Sequence, residues 1–150
     1  MKQDMKTATW ILVAALGAVG CNGSMMSDPE RMRSMIDDAR QENETHLIAT
    51  DTASTLVQVR GEMTRHEGAM DGMTDMMDRE MDGMSHCSGA GMQDLRGMHD
   101  SMLGEMDQHA VVMGQAANMD AAAAEAVRHT GAMDAKLDGM AEATGRMGCM

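Results

Sequence analysis

Between residues 62 and 87 methionine recurs every seven residues, at Met63, Met70, Met77 and Met84. His66, Met73 and Cys87 each stand three residues on from a methionine, and only Glu80 breaks that second series. A period of seven with an offset of three is one stripe along one side of an α-helix. The polar residues between these positions, mostly Asp, Glu, Arg and Thr, cover the opposite face.

Other segments follow the same logic. Asp28-Pro29-Glu30 reads as a helix start, with Asp28 as cap, proline in the first turn and an acid behind it. From Met32 to Ala49 the special positions Met32, Met35, Ala39, Glu42, His46 and Ala49 keep heptad-like spacing, which predicts a first helix. Residues 50–55, TDTAST, bond readily to their own backbone and predict a turn. A second helix is expected from about Thr55 to Met84, and a linker at 85–91, SHCSGAG. A third helix is expected over about 92–113. A turn at 114–118 follows, with Asn118 as cap, and a fourth helix from Met119 to Met147.

The second half copies the first. RHEGAMDGMTDMM at 65–77 returns as RHTGAMDAKLDGM at 128–140, 63 residues later. Without a gap, residues 32–84 align with 95–147, and 16 of the 53 pairs are identical. The chain is therefore a duplicated helical hairpin, residues 28–87 and 88–150. Neither amphipathic hairpin can bury its stripe alone. The expected fold is all-α: an antiparallel four-helix bundle forming one domain over 27–150. Glycines inside the proposed helices, such as Gly61, Gly68, Gly72 and Gly131, each cost about 1 kcal/mol relative to alanine and make the bundle weak.

The duplication also carries four Glu-x-x-x-His pairs: Glu42/His46, Glu62/His66, Glu105/His109 and Glu125/His129. Four-residue spacing puts each pair on one helix face. If the first hairpin turns near residue 54, His46 lies level with Glu62, and Glu42 with His66. The second hairpin repeats this about residue 117. Two layers are expected, each with two His and two Glu, about 6 Å apart along the axis. These eight residues are candidate metal ligands, because a buried carboxylate needs a partner or a cation. The alternative is a polar layer that fixes register. The spacing is not the Glu-x-x-His of di-iron bundles.

Composition sharpens the question. Beyond the first 20 residues there is no Phe, Tyr or Trp, and five Leu, two Ile and five Val stand against 21 Met. Methionine fills gaps but specifies packing poorly. Its thioether is soft and neutral, and suits Cu(I) better than Zn, Mg or Ca. The stripe Met63, Met70, Met73, Met77 and Met84, with Met133, Met140 and Met147 in the copy, is a candidate set of sulfur ligands. The alternative is that methionine stands in for leucine as core. From residue 21 onward, 10 basic residues face 23 acidic ones, a net charge of −13. That charge disfavours nucleic acid and favours cations.

The first 24 residues, MKQDMKTATWILVAALGAVGCNGS, have a basic start, an apolar run too short to span a membrane, and a small-residue end. This is a signal peptide, 1–20. Its end, Val19-Gly20-Cys21, resembles the lipobox of bacterial lipoproteins, with a departure at Ala18, where leucine is usual. The resemblance implies lipidation of Cys21, a tether at 21–27 and, from Asn22, the outer membrane, facing the periplasm; ordinary secretion is the alternative. Membrane contact would be through the lipid alone. GAMDGMTDMM and DGMSHC resemble the Met/His-rich stretches of periplasmic copper-handling proteins.

Cys87 and Cys149 remain, at the far ends of the second and fourth helices, and outside the cytoplasm a disulfide joining the hairpins is expected. The alternative is a reduced site with His86, Met84, Met147 and Met150. Motifs for covalent haem, phosphate binding or a serine nucleophile are missing, so no enzyme is expected. His86 and His99 lack counterparts in the copy and are expected at the surface. The sequence thus points to an envelope lipoprotein that binds soft metal, Cu(I), for sequestration or resistance. The rival is a metal-free structural or interaction lipoprotein.

Overall fold

The computed structural model describes residues 28–149. The leader, Cys21 and the tether lie outside the described residues. Four long helices follow in order: α1 (Asp28–Thr52), α2 (Leu56–Gly83), α3 (Ala90–Gln115) and α4 (Met119–Gly145). Helix α1 packs against α2 and α4, and α3 against α4 and α2, in an antiparallel four-helix bundle. No described helix is long and apolar enough to cross a membrane.

Local chemistry sets the hairpin turns. The Thr55 side chain accepts from the backbone N–H of Gln58 at 3.3 Å and starts α2. Asn118 does the same for α4, accepting from Ala121 N–H at 2.9 Å. Each cap is worth about 1 kcal/mol. Helix α1 runs through Thr50 to Thr52, further than the TDTAST segment suggests, because Thr50 is buried and extends the packed face.

The far end of the bundle holds a feature absent from the sequence reading. Cys87–Ser88 (β1) and Gly148–Cys149 (β2) pair antiparallel, with Cys87 opposite Cys149. The two cysteines are disulfide-bonded. The hairpins are thereby tied at their open ends. Gly91 makes this closure possible: a Cβ there would sit 2.7 Å from the Ala143 carbonyl oxygen and 2.8 Å from the Met147 nitrogen.

The stripe forms the core. Met70, Met77, Met84, Met133 and Met140 are buried with Met32, Ile36, Met81, Leu95, Met102, Met106 and Leu137 in one cluster. Met73 and Met147 are partly buried against it. Val59, Met63, Met113, Ala122 and Ala126 form a smaller cluster toward the two hairpin turns. Gly61, Gly68, Gly72 and Gly131 have open space where a Cβ would stand, so they lie outside both clusters.

Candidate metal centre

His46, His66, His109 and His129 are fully buried, one from each helix, between the two apolar clusters. The hairpin register is the one that the turns dictate. The Nδ1 of His46 lies 3.2 Å from Glu62, and that of His66 lies 2.9 Å from Glu42. The copy repeats this, with His109 at 3.0 Å from Glu125 and His129 at 3.2 Å from Glu105.

The two expected layers are present, one with His46, Glu62, His109 and Glu125 and one with His66, Glu42, His129 and Glu105. The imidazoles converge inside and the carboxylates stand outside them. His46 stacks on His66 with ring centroids 4.1 Å apart, and His109 stacks on His129 at 3.8 Å. Rings of different pairs cross at 85° to 89°. The Glu side chains are pulled outward by two arginines that the sequence reading passed over. Arg65 donates to both carboxylates of its hairpin, at 2.8 and 2.9 Å to Glu42 and at 2.6 and 2.8 Å to Glu62. Arg128 clamps Glu105 and Glu125 in the same way, at 2.6 to 2.8 Å. The signal was present in the repeat, where an arginine directly precedes His66 and His129.

This clamp fixes protons. Burial opposes ionisation of Glu42, but hydrogen bonds from Arg65 and then His66 outweigh it and lower its pKa. Burial likewise opposes ionisation of Glu125, and Arg128 and His109 outweigh it. The hydrogen bonds to Glu62 and then Glu42 raise the Arg65 pKa, so its charge is permanent. Carboxylates that already accept from a guanidinium cannot donate, so each imidazole Nδ1 must carry the hydrogen. A neutral ring then turns a bare Nε2 lone pair inward.

These Nε2 atoms are buried inside the bundle. The Nε2 atoms of His46 and His109 are 3.2 Å apart. Those of His66 and His129 are buried without a hydrogen-bond partner. Two facing acceptors at 3.2 Å repel unless a cation lies between them. A proton is a poor cation for this place. Burial is the largest cause lowering the pKa of His46, His66 and His109. For His129, burial and then the charges of His109, His66 and His46 lower the pKa to about 2.

The two stacked pairs are turned nearly perpendicular to one another, and the Nε2 atoms of His46 and His109 face each other between them. A tetrahedral ion with metal–nitrogen bonds of about 2.0–2.1 Å sets its ligands about 3.3–3.4 Å apart. The His46–His109 separation of 3.2 Å is close to that edge. Hydrogen bonds from Nδ1 to carboxylates are the usual outer shell of metal-binding histidines. Glu42, Glu62, Glu105 and Glu125 therefore stand behind the imidazoles, where they orient the rings and set charge.

The methionines divide by height. Met63 and Met70 lie within one turn of His66, and Met133 within one turn of His129. Met106 and Met113, which the stripe reading left out, flank His109 in the same way. Met73, Met77, Met84, Met140 and Met147 lie two or more turns away, in or against the core nearer the disulfide. His99 corrects a further expectation: it is 4% exposed and donates from Nε2 to the Thr74 carbonyl at 3.2 Å. His86 is exposed and faces Asp28. His86, Cys87 and Cys149 bring their ligand atoms within 4.8 Å, but sulfurs joined in a disulfide are not thiolates. Comparison of the chain with protein-family models, curated proteins and solved structures finds no match.

Proposed function

We propose that the protein binds one Cu(I) ion between His46, His66, His109 and His129, for sequestration or resistance in the cell envelope. The observation that carries this reading is the donor deficit: the buried Nε2 atoms of His46 and His109 face each other at 3.2 Å, and those of His66 and His129 have no hydrogen-bond partner. A d¹⁰ ion without geometric demands accepts imidazole nitrogens, and the flanking thioethers give a soft, water-poor surround. Charge agrees. Four carboxylates against Arg65, Arg128 and Lys136 leave one excess negative charge around the centre, which a monovalent ion offsets. The envelope location rests on the leader and Cys21 in the sequence.

Titration of the mature protein with Cu(I) against a competing chromophoric chelator tests this. One ion per chain is expected, with binding lost in His46→Leu/His109→Leu and kept in Met77→Leu/Met140→Leu. Absence of binding would leave a metal-free structural bundle. Tighter binding of Zn(II) than Cu(I) under matched competition would overturn the identity of the metal.

A further inference from the structure

The duplication supplies an internal control, because each residue has a counterpart 63 positions away. Where the two copies differ at the height of the histidines, the two seams between hairpins differ. On the α1–α4 seam the helices are latched. Arg40 reaches Asp138 at 2.6 Å, and the buried Asn43 donates to the Thr130 carbonyl at 3.2 Å and to Asp134 at 3.0 Å. Outside this latch lies a groove of about 450 Å³ lined by Arg40, Glu44, Leu47, Thr130, Asp134 and Asp138, a charged lining that suits hydrated, hard ions and that the buried Asn43 separates from the interior.

On the α2–α3 seam the counterparts of Arg40 and Asn43 are Leu103 and Met106, which cannot form that latch, and Leu47 becomes Ala110. These helices pack less closely than α1 and α4. A crevice of about 200 Å³ opens there, lined by Met63, Met113, Ala110, Gly114, Arg60 and Glu67 among others. Met63 is one turn from His66 and Met113 one turn from His109. Their counterparts on the other seam are Ala126 and Thr50, which have no sulfur. Met63 and Met113 are 7% and 3% exposed, so their side chains line the crevice from just beneath the surface.

We propose that a soft monovalent cation enters and leaves the four-histidine centre through this crevice, passed inward by the thioethers of Met63 and Met113. The inference rests on the metal-binding reading above. A thioether is a weak neutral ligand, so it can exchange an ion quickly and yield it to stronger imidazoles. The α1–α4 seam would be closed to such an ion by its latch.

The test is stopped-flow transfer of Cu(I) from a chromophoric chelator to the mature chain with its disulfide intact. In Met63→Leu/Met113→Leu, loading is expected to slow about tenfold, equivalent to about 1.4 kcal/mol of barrier, with affinity and stoichiometry unchanged. Ala110→Leu, which copies Leu47 into the crevice, should slow loading with both sulfurs in place. Met77→Leu/Met140→Leu, two or more turns from the histidines, should load at the wild-type rate. Wild-type loading in both crevice variants overturns the route and leaves the centre standing. A tenfold loss of affinity in Met63→Leu/Met113→Leu makes these sulfurs ligands at the centre and overturns the relay. Failure of the wild-type chain to take up Cu(I) defeats the metal-binding reading itself.

Discussion

His46 and His109, equivalent residues of the two hairpins, hold their Nε2 atoms 3.2 Å apart in the interior of the bundle. Each ring is fixed from behind by a carboxylate on the neighbouring helix of its own hairpin. Chain duplication thus places two identical imidazole nitrogens face to face.

The carboxylates should control the affinity of the centre without touching the ion. In Glu42→Gln the His66 ring can keep a hydrogen bond but loses the charge behind it, and Cu(I) affinity is expected to fall about 10–100-fold. Arg65→Gln, which frees both carboxylates of its hairpin, should change affinity in the same assay while His–metal coordination persists by X-ray absorption. An oxygen ligand appearing in that spectrum for the wild type would contradict the outward placement of Glu42.

Acid should destabilise the metal-free protein from an unusually high pH. The folded pKa values of His46, His66, His109 and His129 all lie below the ordinary 6.5. The unfolded chain therefore binds more protons than the folded one below 6.5. Stability is full above that pH and falls as the pH drops toward each folded value, by up to about 1.4 kcal/mol per histidine per pH unit. A second loss begins below the ordinary 4.5 of glutamate, because Glu42 and Glu125 are also lowered. Urea midpoints from pH 8 to pH 3 measure both losses. A flat profile between pH 7 and pH 5 would mean that the imidazoles are solvated.

The disulfide should carry stability and leave the centre alone. It joins residues 62 apart, and closing a loop of that size stabilises by about 4 kcal/mol in the chain-entropy treatment. Cys87→Ser/Cys149→Ser is expected to lower the denaturant midpoint accordingly, with Cu(I) stoichiometry unchanged. Loss of copper binding in a variant that still shows full helical circular dichroism would implicate this end of the bundle in the site.

The interior glycines should be replaceable with gain. Gly61, Gly68, Gly72 and Gly131 have nothing within 4 Å of a built Cβ, so alanine costs no packing. Each change is expected to raise stability by about 1 kcal/mol. Gly91→Ala should do the opposite, because its Cβ would strike the α4 backbone 2.7 Å away. Equal effects at Gly91 and Gly68 by thermal denaturation would contradict the closure of α3 on α4.

Much of this architecture is written in local pattern. The seven-residue methionine period fixes which helix face is buried, and the 63-residue copy fixes that the hairpin occurs twice. Thr55 and Asn118 mark where helices begin because a cap acts within one turn. Those turns set the register, and the register alone pairs His46 with Glu62 and His66 with Glu42. What the chain order leaves open is direction within a shared face. Glu and His four residues apart look equivalent on one helix. Only the packed bundle decides that the imidazoles lie innermost, with the carboxylates between them and the half-exposed guanidinium groups of Arg65 and Arg128. The same holds for the methionines. Their spacing cannot say which lie at the height of the histidines. That depends on how two hairpins dock, and docking rests on contacts between residues far apart in the chain.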